Sequence, residues 1–314
     1  MNTNFQRTFF NCRFDARNEI WSLVTLPAVK RLIINADDFG LAPGVNRAVI
    51  ELQQAGALSS TTLMATAPYF SAAVHLAFAQ SSLSVGCHVI LVDGSPCLHP
   101  HDVPSLLAPR HPALLRPTVG HFLRDLLRGR IRPQEIEAEA IAQIRRIQSS
   151  GLTVSHIDSH KHLHAFPGAL APLLRAAQHC GVQSVRNPFE PGWSLRATPS
   201  AGGLRRAQVY ALRTRWGAWT RLAAEHGFTT TDGSIGILAT GILDQRVLRS
   251  LLHAMPEGTW ELVCHPGYND SALQQAHTRL RASREVERSA LLEVIPEALR
   301  NDPALTLIDF HQLG

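Results

Sequence analysis

Two neighbouring carboxylates, Asp37 and Asp38, directly follow the strand-like run Leu32-Ile33-Ile34-Asn35-Ala36. Like charges side by side at the end of a buried strand are costly unless a cation neutralises them. A divalent metal is the usual solution, and it can leave one carboxylate free as a base. A solvated turn that caps the next helix is the plainer alternative. Further on, His156-Ile157-Asp158-Ser159-His160-Lys161-His162-Leu163-His164 concentrates histidine beside Asp158. If extended, its alternation puts His160, His162 and His164 on one face. Histidine with carboxylate suits Zn²⁺, Mn²⁺, Fe²⁺ or Ni²⁺, and Mg²⁺ less typically. One Asp and two His would give a three-ligand site with an open position, the catalytic type. His88 and His265, each taken alone, read as easily as core histidines.

The elements that must position these residues follow a regular pattern. Strands are expected over 32–36, 60–65, 84–91, 153–157, 182–186, 234–238, 259–264 and 306–310. Helices are expected between them, over 44–55, 69–80, 133–150, 168–180, 204–225, 244–253 and 272–299. The clearest is 133–150, where Ile136, Ala140, Ile144 and Ile147 recur at helical spacing behind Pro133. A Pro/His-rich loop is expected from 93 to about 120. Strand–helix alternation implies a parallel sheet covered by helices, and about eight units suggest a (β/α) barrel or a distorted relative. An open doubly wound sheet is the alternative, but no G-x-G-x-x-G follows the first strand, so a dinucleotide site has no support. In a barrel, Asp37, Asp38, His88, Asp158, His160, Arg186 and His265 all fall at the carboxyl ends of strands, where barrel active sites are built.

Composition narrows the function classes. Within 314 residues, 45% are hydrophobic, enough for a large core. No apolar run approaches the roughly 20 residues of a membrane-spanning helix. The 5 cysteines are scattered without a C-x-x-C pair, which fits a reducing cytosol rather than a disulfide framework. The net charge of +5 is mild and forms no Lys/Arg block, so nucleic acid is not an expected partner. Residues 1–29 differ in character and read as a flexible N-terminal extension, leaving 30–314 as a single domain.

The set Asn35-Ala36-Asp37-Asp38-Phe39-Gly40, Gly86-Cys87-His88, Asp158-Ser159-His160-Lys161-His162-Leu163-His164 and Cys264-His265-Pro266-Gly267 resembles the YdjC/ChbG-type carbohydrate deacetylases, from Arg31 onward. Within that family, Leu91-Val92-Asp93-Gly94, the motif around Lys161 and Thr231-Asp232-Gly233 are most similar to members associated with hopanoid biosynthesis. The resemblance implies a barrel-like fold, a divalent metal (Mg²⁺ by the family's usual assignment, Zn²⁺ by ligand type) and hydrolysis of an N-acetyl group on an amino sugar, free or lipid-linked. It implies Asp38, His88 and His160 as metal ligands, Asp37 as general base and His265 as general acid. His162 and His164 would orient His160, with His164 an alternative ligand. Arg186 would bind a substrate hydroxyl or phosphate, or form an ordinary ion pair.

The segment 193–219 gathers Arg196, Arg205, Arg206, Arg213 and Arg215 with Trp193, Tyr210, Trp216 and Trp219. A basic aromatic helix suits an anionic membrane surface, which would place a cytoplasmic enzyme at the inner membrane face; it equally suits a homodimer interface or packing on the barrel. Two further function classes stay open at this point: a metal-dependent phosphoesterase, which usually wants a second metal, and a glycan- or lipid-binding protein without turnover.

Overall fold

The computed structural model describes residues 11–15, 20–24 and 29–313. The proposed extension 1–29 therefore lies mostly outside the described residues; within it, Asn11–Asp15 pairs antiparallel with Ile20–Val24.

Seven parallel strands build the central sheet: β1 (Lys30–Phe39), β2 (Ser60–Leu63), β3 (Ser84–Val89), β4 (Ile157–Ser159), β5 (Gly233–Ile235), β6 (Gly258–Cys264) and β7 (Leu305–Leu307). Their order is β4-β3-β2-β1-β6-β5, with β7 also on β1. β1 is central because it is apolar on both faces, with Leu32, Ile33 and Ile34 fully buried. The segment after helix Pro167–His179 links the two ends of this order: Val185 bridges Ile157, Ser184 bridges Thr229, and Ser234 N–H donates to the Phe189 carbonyl at 3.1 Å. The sheet thus curls into the expected barrel-like form.

The strand expected over 182–186 is reduced to these single bridges. The long helices expected over 204–225 and 272–299 are each broken in two, into Gly203–Arg213 with Trp216–Glu225 and Ser271–Gln275 with Ala282–Asn301. The Pro/His-rich loop contains a short antiparallel pair, Leu107–Ala108 with His111–Leu115, ahead of helix Val119–Leu127. Helix Pro133–Ser149 buries Ile136, Ala140, Ile144 and Ile147 as its spacing requires. It also buries Glu139 and Gln143: Gln143 bonds both the N–H and the C=O of Ile90 at 2.8 Å, and Glu139 accepts from Cys97 and Leu98 N–H. Buried polar groups satisfied in this way fix the loop that leaves β3. No helix among the described residues is long and apolar enough to cross a membrane.

Candidate active site

Strand β1 continues through both aspartates, and its irregularity there makes the site. Ala36 pairs with Thr61 and Phe39 with Leu63, so Asp37 and Asp38 together face the single residue Thr62. Asp38 adopts a left-handed backbone, φ 67°. In a regular strand, neighbours point to opposite faces. The bulge re-aims one of them, so both carboxylates line one cavity. Parallel register supplies the rest. His88 lies opposite Asp158, and Cys264 opposite Ala36, which carries His265 beside Asp37.

The floor of the cavity holds two buried carboxylates with different partners. Asp37 accepts from both terminal nitrogens of Arg186, at 2.9 and 2.7 Å, and from Thr62 Oγ1 at 3.1 Å and Asn35 Nδ2 at 3.0 Å. Burial alone would raise its pKa, but Arg186 and His88 outweigh burial and hold the carboxyl well below the ordinary range. Asp38 Oδ2 accepts from Arg284 at 2.5 Å, while Oδ1 faces His88 Nε2 and His160 Nδ1, each at 3.6 Å. Here too burial is outweighed, by Arg284 and His160. His88 Nδ1 contacts Asp158 Oδ1 at 2.7 Å. Burial disfavours a charged His88, yet Asp158 and Asp37 push it up to about 9.

Asp38, His88 and His160 offer ligand atoms that all lie within 4.8 Å of one another. The donor set, one carboxylate and two imidazoles opening on a cavity, fits a divalent ion with free coordination positions. The acids around His88 also favour positive charge there. A second cluster, Asp37, His88 and Asp158, lies equally close together. Its centre is served by Arg186, which contacts Asp37, Asp158 and, through Nε at 2.7 Å, Glu261.

The other sequence-derived candidates sort clearly. His265 joins the cavity, its Nε2 3.8 Å from Asp37 Oδ2. Burial lowers its pKa, only partly offset by Asp37 and Glu287. His162 does not back His160: its left-handed backbone, φ 55°, turns it toward the cavity, which it lines. His164 is fully buried, its Nδ1 engaged by Ser159 N–H at 3.1 Å and Ser159 Oγ at 2.8 Å, and it joins neither ligand group. Arg186 has 0% exposure and does not line the cavity, so the expected contact with substrate and the ordinary surface pair both give way to a buried clamp on carboxylates.

Three residues escaped the sequence reading. Arg284 holds Asp38. Glu287 accepts from His265 N–H at 2.6 Å and Gly241 N–H at 3.0 Å. Glu261 sits beneath Arg186 in β6 and is pushed by burial up to about 7. A signal existed for two of them. On helix Ala282–Asn301, Arg284 and Glu287 occupy the inward stripe continued by Ala290, Leu291, Val294 and Ile295. Charged residues on an apolar stripe need buried partners.

The chain belongs to the YdjC-like protein family, which it matches over residues 31–298. It is 32% identical over 286 residues to a protein named carbohydrate deacetylase from Brevibacillus brevis, covering 90% of this chain and all of that one (100%). A protein of the same name from Geobacillus stearothermophilus is 31% identical over 287 residues, 90% of this chain and 98% of that one. Among solved structures, a protein from Enterococcus faecalis V583, provisionally assigned to cellobiose-phosphate cleavage, superposes with a TM-score of 0.69 at 24% identity. It covers 91% of this chain and 100% of that one. At that identity the likeness speaks for the fold.

Proposed function

We propose that this YdjC-like protein is a metal-dependent carbohydrate deacetylase that hydrolyses the N-acetyl group of an amino sugar. The observation that carries the reading is the division of labour between adjacent carboxylates: Asp38 turns an oxygen toward His88 and His160, whereas Asp37 is held apart by Arg186. The full-length likeness to proteins named carbohydrate deacetylase supports the same chemistry.

Asp38, His88 and His160 would hold the ion. When bound, it polarises the amide carbonyl and acidifies water. Asp158 fixes the tautomer and orientation of His88 from behind. Asp37 receives the water's proton at Oδ2, the oxygen nearer His265. Arg186 keeps that carboxylate ionised and immobile between turnovers. His265, neutral at rest, takes that proton from Asp37 Oδ2, 3.8 Å from its Nε2, and passes it to the departing nitrogen as the C–N bond breaks, so that both groups return to their starting forms. Water thus supplies OH to the acyl carbon and H to the amine, giving acetate and a free amino sugar.

The ion is Mg²⁺ or Zn²⁺; two imidazoles in the donor set favour Zn²⁺. A two-metal phosphoesterase is the weaker reading, because the guanidinium of Arg186 serves the second cluster that another metal would need. A lipid-linked, hopanoid-type amino sugar is the finer substrate reading. Its support is the motif around Asp93 and Lys161 together with helix Gly203–Arg213, where Arg205 lines the cavity and Leu204 is 77% exposed. That helix would lie against an anionic membrane face; a homodimer contact is the competing use of the same surface.

The test is acetate release by the purified protein from N-acetylglucosamine, chito-oligosaccharides and a hopanoid-linked N-acetylglucosamine, each with and without chelator. Release that stops with chelator and returns with added metal is the expected result. The preferred substrate separates sugar catabolism from lipid tailoring. No release from any compound by metal-loaded protein would defeat the reading.

A further inference from the structure

The cavity that contains Asp37, Asp38, His88 and His160 is about 640 Å³ and is also lined by Asp93, Lys161 and His277. These three come from separate segments: the loop after β3, the turn after β4 and the stretch after helix Ser271–Gln275. Lys161 Nζ donates to Asp93 Oδ2, and His277 Nδ1 lies 2.5 Å from Asp93 Oδ1. Two of the three sit in conformations that side chains rarely adopt: Asp93 at φ 58° and Lys161 at φ 57°. Such residues each cost roughly 1–3 kcal/mol and persist where the surroundings require them. Both left-handed residues meet in one contact on the cavity wall.

The contact leaves hydrogen-bonding capacity free. A carboxylate accepts about four hydrogen bonds and an ammonium donates three. The side chain of Asp93 is only 10% exposed, and that of Lys161 is 37% exposed. Burial pushes the Asp93 carboxyl up, but the bonds from Lys161 and His277 outweigh it and keep it ionised.

We propose that Asp93, Lys161 and His277 form a sugar-hydroxyl subsite, in which the Asp93 carboxylate and the Lys161 ammonium bind neighbouring pyranose hydroxyls of the substrate. Each hydroxyl both donates and accepts, so a fixed acceptor beside a fixed donor matches a vicinal pair. This inference rests on the amino-sugar reading of the cavity and makes Asp93 a specificity determinant within it.

The experiment uses metal-loaded protein carrying Asp37→Asn to block turnover. N,N′-diacetylchitobiose and singly deoxygenated N-acetylglucosamine glycosides are titrated calorimetrically, with and without Asp93→Ala. Metal content and unfolding temperature are recorded for every variant. The expected result is an affinity for the parent sugar roughly tenfold weaker in the Asp93→Ala protein, the loss of one charged hydrogen bond, with metal content unchanged and the protein folded at the temperature of the titration. At least one deoxy sugar should bind the Asp93-containing protein weakly, yet bind the Asp93→Ala protein as well as the parent sugar does. Unchanged affinity on Asp93→Ala overturns the subsite and leaves the deacetylase reading standing. Loss of metal together with affinity also overturns it, as does equal weakening of the parent and every deoxy sugar, because the contact would then be a strap. If no N-acetylated sugar is bound or deacetylated, the amino-sugar reading fails and the subsite fails with it.

Discussion

Arg186 grips Asp37 with both terminal nitrogens, at 2.9 and 2.7 Å, inside a barrel where its own exposure is 0%. The same guanidinium reaches Asp158 and Glu261, so one cation contacts three buried acids. Removing one partner from a buried ion pair leaves the others unpaired in low dielectric. Arg186→Leu should therefore cost about 3–5 kcal/mol of unfolding free energy. Denaturant unfolding measures it. A loss near 0.5 kcal/mol, about the scale of a surface substitution, would contradict the clamp.

Asp158 touches His88 Nδ1 at 2.7 Å and joins no group with Asp38 and His160. Its expected effect on metal is indirect, through the imidazole it orients. Asp158→Asn should weaken metal binding by roughly 10–100-fold, the usual effect of losing such a partner. Calorimetric metal titration reads this directly, and unaltered affinity would remove Asp158 from the account.

Gly86 packs flat against a buried imidazole. A Cβ there would stand 2.3 Å from His156 Cε1. His156 cannot retreat, because its ring stacks on Phe310 with centroids 3.5 Å apart. Gly86→Ala should destabilise by about 1–3 kcal/mol, the cost of overpacking a core. Thermal unfolding would show it as a lowered Tm; an unchanged Tm would mean that the ring moves freely.

Acid should unfold the protein well before its carboxylates reach their ordinary range. Burial holds His156, His162, His164 and His265 below the usual 6.5, with His162 at about 3. The unfolded chain therefore takes up protons from pH 6.5 downward that the folded chain refuses, and stability falls as pH falls. Glu261, raised by burial to about 7, and His88, raised by its acidic neighbours to about 9, act in the opposite direction over this window, as do Glu139 and Glu190 nearer their ordinary range. Four histidines outweigh Glu261 and His88 together, so metal-free protein should lose unfolding free energy between about pH 6.5 and 5 at up to ~1.4 kcal/mol per pH unit for each excess proton. A flat profile across that window would show that these imidazoles are not buried neutral.

The strand that carries Asp37 and Asp38, the helix beginning at Pro133 and the gathering of His88, His160 and His265 at one end of the sheet were legible from apolar runs and spacing. The bulge at Asp37 and Asp38 was not, because it depends on pairing with Thr62, a residue without a pattern of its own. His162 and His164 were misjudged through period. Alternation holds only for extended chain, and this segment turns through Lys161 and His162 in left-handed conformation. Arg186 read as a substrate contact or an ordinary ion pair at a strand end, because the acids that bury it, Asp37, Asp158 and Glu261, come from three different strands. The strand expected over 182–186 failed for a related reason: its pairing is limited to bridges at Ser184 and Val185. Arg284 and Glu287 were readable in principle, as charges on the inward stripe of a helix.

The most direct test compares Asp37→Asn with His88→Ala, measuring bound metal and acetate release on the same preparations. Asp37→Asn should keep its metal and lose turnover by roughly 10²–10⁴-fold, the contribution of a general base. His88→Ala should lose both. Equal loss of metal in the two variants, or full turnover in Asp37→Asn, would contradict the division of the adjacent carboxylates into a ligand and a base.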